Sequence, residues 1–144
     1  MGKKRIIEKT EEVKDGAASG ARLGVSSKRK LAKGMIHIFS TYNNTLLTLT
    51  DERGNAYLSY SSGAAGFSGS KKGTPYAASK AAETLADRAR ELGLIDIDVR
   101  VKGVGSGRES ALRIFAQKGF SIHSIKDVTP IPHGHPRVKK PRRV

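Results

Sequence analysis

The sequence predicts an α/β domain, a mixed β-sheet with helices packed on its faces, held between two basic extensions. Three observations predict it. Several short runs alternate apolar and polar residues at the period of a strand. Two stretches, after Pro75 and after Ser106, carry small or apolar residues at helical spacing. Charge separates from apolar content: the net charge is +14, and +11 of it falls in residues 1–33 and 128–144.

Residues 1–33 are polar, with ten Lys/Arg against four Asp/Glu. Too few large apolar side chains are present to pack, so the segment reads as a flexible extension. Its densest basic cluster is Lys28, Arg29, Lys30 and Lys33. Met35 to Thr41 reads as a first strand with Ile36 and Ile38 on one face. Asn43 and Asn44 supply a turn, because Asn tolerates left-handed backbone angles. Leu46 to Thr50 is a second strand, Asp51 to Asn55 a hairpin turn containing Gly54, and Ala56 to Ser61 a third strand. Short turns between three strands give an antiparallel meander.

Ser62 to Gly73 is a small-residue loop with Lys71 and Lys72 near its end. Thr74 and Pro75 have the residue types of a helix N-cap and first helical position. Ala78, Ala81, Ala82, Leu85, Ala89 and Leu92 follow on one stripe, and Gly93 stops the helix. Ile95 to Lys102 alternates again: Ile95, Ile97, Val99 and Val101 point one way, and Asp96, Asp98, Arg100 and Lys102 the other. Ser106 and Glu109 have the spacing of a capping box, opening a second helix with Ala111, Leu112, Ile114 and Phe115 inward. Gly119 ends it, and Phe120, Ile122 and Ile125 belong to a last short strand. From residue 129 onward, prolines interleave with Arg137, Lys139, Lys140, Arg142 and Arg143, an extended basic tail with no core of its own. The divisions are therefore 1–33, 34–128 and 129–144.

Two places carry chemistry. Gly103, Gly105 and Gly107 lead from a strand into a helix start, with Arg108 on its first turn. Glycine has no Cβ, so a phosphate can come close to this backbone. A helix N-terminus offers it free N–H groups, and arginine a forked donor. The loop with Lys71 and Lys72 repeats the arrangement before Thr74. The competing reading is turn chemistry alone. The spacing G-x-G-x-G is not the dinucleotide fingerprint G-x-G-x-x-G, and no G-x-x-x-x-G-K-[ST] occurs.

Other chemistries find little support. With no cysteine there is no disulfide or thiolate site. No apolar run reaches the roughly 18 residues that span a bilayer, and the basic N-terminus lacks the apolar segment of a secretory signal. A soluble, intracellular protein is expected, with no membrane partner and no cofactor. Glu83, Asp87 and Glu91 alternate with Lys80, Arg88 and Arg90, the pattern of an ion-paired helix face. Asp96 and Asp98 share a strand face but have no third ligand, and His133 and His135 form a bare pair on the tail. No nucleophile–base pair can be assigned, so no catalytic and no metal residue is named. Basic ends on a nearly neutral core mark a polyanion binder.

Several segments together resemble one family, the eleventh protein of the small ribosomal subunit. They are His37-Ile38, Thr41 to Thr45, Asp51 with Gly54-Asn55, Gly66-Phe67, Thr74-Pro75, Gly103 through Ser110, and Asp127 through His133. The similarity runs from Gly34 to Val144. It implies a three-layer, ribonuclease-H-like fold without nuclease activity. It implies a place on the platform of the small subunit, in the cytoplasm or alternatively in an organelle ribosome, against small-subunit ribosomal RNA and near the messenger RNA exit path. Ribosomal proteins seven, eighteen and, in some bacteria, twenty-one are the implied neighbours. By position, the RNA-contacting set is Asn43, Asn44, Lys71, Lys72, Thr74, Gly103, Gly105, Gly107, Arg108 and His133. The tails add Lys28, Arg29, Lys30, Lys33, Arg137, Lys139, Lys140, Arg142 and Arg143. The chain departs from the family's bacterial pattern at Val104 and Ser106, where proline is usual. It departs again at Gly134, His135 and Pro136, where Asn, Gly and Cys are usual. A free-standing RNA chaperone or regulator, and a nuclease on the same sheet, are the alternative readings.

Overall fold

A computed structural model describes residues 31–134 and 138–140. Five strands, β1 (Lys33–Ser40), β2 (Thr45–Thr50), β3 (Ala56–Ser61), β4 (Asp96–Lys102) and β5 (Ser121–Asp127), form one sheet in the order β3-β2-β1-β4-β5. β1 pairs antiparallel with β2 and parallel with β4, β2 pairs antiparallel with β3, and β4 pairs parallel with β5. Only β2 runs against the others. The meander and mixed α/β sheet expected from the sequence are both present.

Two helices complete the core: α1 (Pro75–Glu91) and α2 (Gly107–Gln117). They pack side by side, α1 over β2 and β3, α2 over β1 and β4. Between helices and sheet lie Ile36, Ile38, Leu47, Leu49, Ile97 and Val99, all at most 1% exposed. Alanines at 77, 78, 81, 82, 86 and 89 let α1 approach closely, since each adds only a methyl group to the gap. Phe115 fills the space under α2 and meets Phe120 edge-on, ring centroids 6.2 Å apart. Both helices lie on one sheet face. On the opposite face, where a third layer would sit, the described residues place no helix.

Several elements differ in detail from expectation. β1 begins at Lys33, inside the stretch read as extension. Leu31 also packs on the core, its N–H donating to the Leu92 carbonyl (3.1 Å). β4 begins at Asp96, and Ile95 is 65% exposed, because the alternation counts only once the strand is paired. Ile125 is exposed as well, since β5 is an edge strand with a register shift opposite Ile97 and Asp98. The turn after β1 contains no left-handed asparagine: among the described residues only glycines have positive φ. Side chains hold it instead. Asn44 N–H donates to Thr41 Oγ1 (3.1 Å), and Thr45 N–H to Asn44 Oδ1 (3.0 Å).

The caps divide. Thr74 caps α1 as expected, its Oγ1 accepting from Ala77 N–H (3.3 Å), and Gly93 leaves the helix at φ +82. The capping box expected of Ser106 and Glu109 does not form. Ser106 has helical backbone angles (φ −68, ψ −12), whereas a capping side chain needs an extended residue beneath it. Its hydroxyl donates instead to the Gly73 carbonyl (3.1 Å).

Candidate nucleic-acid interface

Three loops that are distant in sequence meet at one edge of the sheet. They are the turn after β1 (residues 41–44), the loop before α1 (residues 69–74) and the turn between β4 and α2 (residues 103–106). The parallel pairing of β1 and β4 sets this, because both strands then deliver their C-terminal ends to the same edge. The helices return from it, so both of their N-termini open there. Ligands of open α/β sheets bind at such carboxyl ends.

Glycines make the junction possible. A Cβ built at Gly103 collides with the Ser40 carbonyl, one at Gly105 with the Thr41 carbonyl and Ser40 Oγ, and one at Gly73 with the Tyr42 carbonyl. At Gly107 it meets Thr45 Oγ1, and Ala78 Cβ at 2.8 Å. Gly105 N–H also donates to the Ser40 carbonyl (3.0 Å). At Gly73, Gly103 and Gly105 the missing side chain thus faces the protein's own backbone, and at Gly107 the side chains of Thr45 and Ala78. The absent side chains let the loops and the start of α2 pack closely, the turn role weighed beside phosphate contact in the sequence. Gly103 and Gly105 spend their own N–H groups within the protein, so the outward side chains and the first turns of the two helices remain for a ligand.

Arg108 is also spoken for. Its guanidinium donates to the Gly103 carbonyl (2.6 Å) and pairs with the Asp127 carboxylate. Asp127 accepts from Thr129 N–H (2.9 Å) and Thr129 Oγ1 (2.6 Å), and Thr129 Oγ1 in turn accepts from Gly103 N–H (3.1 Å). The Thr129 bonds first, and then Arg108, hold the Asp127 carboxyl down at about 2. Arg108 therefore anchors the turn to the end of β5.

The outward groups are of the expected kind. Lys71 is exposed and Lys72 half-buried at the end of a short 3-10 turn (Gly69–Gly73). Asn43 is exposed and Asn44 half-buried. The Thr74 hydroxyl is engaged, donating to the Lys71 carbonyl (2.7 Å) while it caps α1. His133, Lys139 and Lys140 are exposed on the tail, and Lys33 at the start of β1 lies at the opposite end of the strand from the loop junction. Lys28, Arg29, Lys30, Arg137, Arg142 and Arg143 lie outside the described residues. Three residues at this edge went unassigned in the sequence: Tyr42 (79% exposed), Val104 (59%) and Tyr76 (64%), the last edge-on to Phe67 at 5.8 Å. The signal for Tyr42 was there to use, an aromatic in a polar turn with no apolar neighbour at strand spacing.

Several of the carboxylates sit in ion pairs or hydrogen bonds. Glu83 pairs with Lys80 (2.9 Å), Asp87 with Lys118 (2.7 Å), Asp96 with His123 (3.0 Å), and Asp98 accepts from Ser124. Among the described residues no group of three or more His, Asp or Glu side chains could hold a metal ion. No helix among them is long and apolar enough to cross a membrane.

The model of a family described as ribosomal protein S11 matches residues 34–143. The chain belongs to the ribosomal protein S11 family. Its place is therefore in the ribosome as a structural constituent of the small subunit, and the family is one of RNA-binding proteins of translation, not of enzymes. The match covers the sheet, both helices and the loop junction, and continues into the basic tail.

Proposed function

We propose that this S11-family chain binds small-subunit ribosomal RNA through the three-loop edge, on the platform and near the messenger RNA exit path. The convergence of three separately recognisable loops on one edge carries this reading. It gathers Asn43, Asn44, Lys71 and Lys72 beside two helix N-termini, each worth about half a positive charge. The rigid edge fixes orientation, and the tails, led by Lys139 and Lys140, add salt-sensitive phosphate contacts around it. Ribosomal proteins seven, eighteen and twenty-one are the neighbours this placement implies. The test is a tagged chain followed by sedimentation of cell extracts. The wild-type chain should travel with small subunits, and the double variant Lys71→Glu/Lys72→Glu should be depleted from them. A wild-type chain sedimenting apart from small subunits would make a free-standing RNA chaperone the better reading.

A further inference from the structure

The sheet face away from the helices has a composition of its own. Strand register places residues on it in rows. In one row Leu46, Phe39 and Lys102 stand side by side on β2, β1 and β4. In the next, His37, Arg100 and Lys126 stand on β1, β4 and β5. Phe39 and Leu46 are each 40% exposed, and the Lys102 ammonium lies 5.7 Å from the Phe39 ring centroid. No described element covers this face. Its apolar groups lie on the central strands and its cations on β4 and β5. Asp96 and Asp98, which share the face, sit at the far end of β4 and are occupied by His123 and Ser124.

We propose that this face is a second RNA surface, one that takes a single-stranded segment. Its backbone would run over the cations of β4 and β5, and a base would stack on Phe39. Charge complementarity selects the occupant: three cations without an acid in their two rows fit a polyanion. The exposed ring beside them fits an unpaired base, whose face is available only outside a duplex. The loop edge differs in kind, being built of two helix N-termini with asparagines and lysines beside them. The inference rests on the chain being an RNA binder but needs no particular contact at that edge.

The chain has no tryptophan, which gives a direct test. Phe39→Trp in the full-length protein keeps an aromatic ring there and adds a single indole. A ten-nucleotide adenine RNA is the probe, with a duplex of equal length for comparison. Binding of the single strand should quench the indole, and the duplex should not. Phe39→Ala should weaken single-strand binding by about 5- to 150-fold, the range for losing one stacked base. Duplex affinity should change less than about twofold, since that binding runs through phosphates. Lys102→Gln should flatten the single-strand salt dependence by about 0.7 in log–log slope. An unquenched indole at saturating single strand, or equal single-strand affinity for Phe39→Ala and wild type, would overturn the proposal. Wild-type binding to a platform RNA fragment but not to the single strand would overturn this inference alone. Binding to neither would overturn the ribosomal RNA reading as well.

Discussion

Gly105→Ala tests how the candidate interface is built. Gly105 is buried and does not have positive φ, so a methyl group there brings no backbone penalty of its own. It brings a collision. The new carbon would fall within 3.0 Å of Ser40 Oγ and of the carbonyl carbon and oxygen of Thr41. Backbone cannot rotate away as a side chain tip can, so the two turns must separate. Overpacking of this kind costs about 1–3 kcal/mol. Separation also weakens the Gly105 N–H bond to the Ser40 carbonyl, worth about 0.5–1.5 kcal/mol. Restricting the unfolded chain returns about 0.4–1 kcal/mol. The net loss centres on about 2 kcal/mol, a drop in Tm of about 8–16 °C for a domain near a hundred residues. Gly63→Ala is the control. A Cβ there meets Lys72 Cδ at 3.6 Å and Ser61 Oγ at 3.7 Å, ordinary contacts, so stability should hold or rise by up to about 1 kcal/mol. Thermal and urea unfolding of both variants beside wild type is the assay. Equal midpoints for Gly105→Ala and Gly63→Ala would refute the claim that glycine is required for the loops to meet.

Two further outcomes are expected. Removing residues 137–144 deletes Arg137, Lys139, Lys140, Arg142 and Arg143. In a salt titration of binding to a platform RNA fragment, the log–log slope should flatten by up to about 4, at about 0.7–0.9 per lost phosphate contact. Thermal stability of the free protein should barely change, and an unaltered slope would show that the tail clamps no phosphates. The Asp127 carboxyl, lowered to about 2 from an ordinary 3.8, stabilises the turn above pH of about 4 and loses that contribution as pH falls through about 2. An NMR titration should find its midpoint well below that of an unperturbed aspartate, and Thr129→Val should raise it by removing the hydroxyl bond. An ordinary midpoint in the wild-type protein would show that the Arg108–Asp127–Thr129 network is not held in solution.

The strands and helices were legible in the sequence because each buries one face and so imposes one period. Alternation at Ile97, Val99 and Val101, and the alanine stripe of α1, translate directly into the observed core. The ends of elements were less legible. Ile95 continues the alternation of β4 yet is exposed, because pairing begins one residue later and periodicity does not record pairing. The Ser106–Glu109 spacing was equally persuasive and misled for a related reason. A capping box is local, whereas Ser106 is used by a loop thirty-three residues earlier in the chain.

The glycines of the β4–α2 turn show where sequence reasoning about a site stops. A sequence records that a side chain is missing, but not the direction from which something else approaches. At Gly103, Gly105 and Gly107 the approaching atoms belong to Ser40, Thr41 and Thr45, so the missing side chains make room for the protein's own packing. The same geometry bears on Val104 and Ser106, where the chain departs from the proline usual in bacterial members of the resembled family. A proline at either place would stiffen the turn by fixing φ. Here Val104 points outward, 59% exposed, and Ser106 ties the turn to Gly73 through its hydroxyl. A cross-loop hydrogen bond thus takes over part of what ring rigidity would supply. It links two of the three converging loops directly, which a proline, with no hydroxyl to donate, could not do.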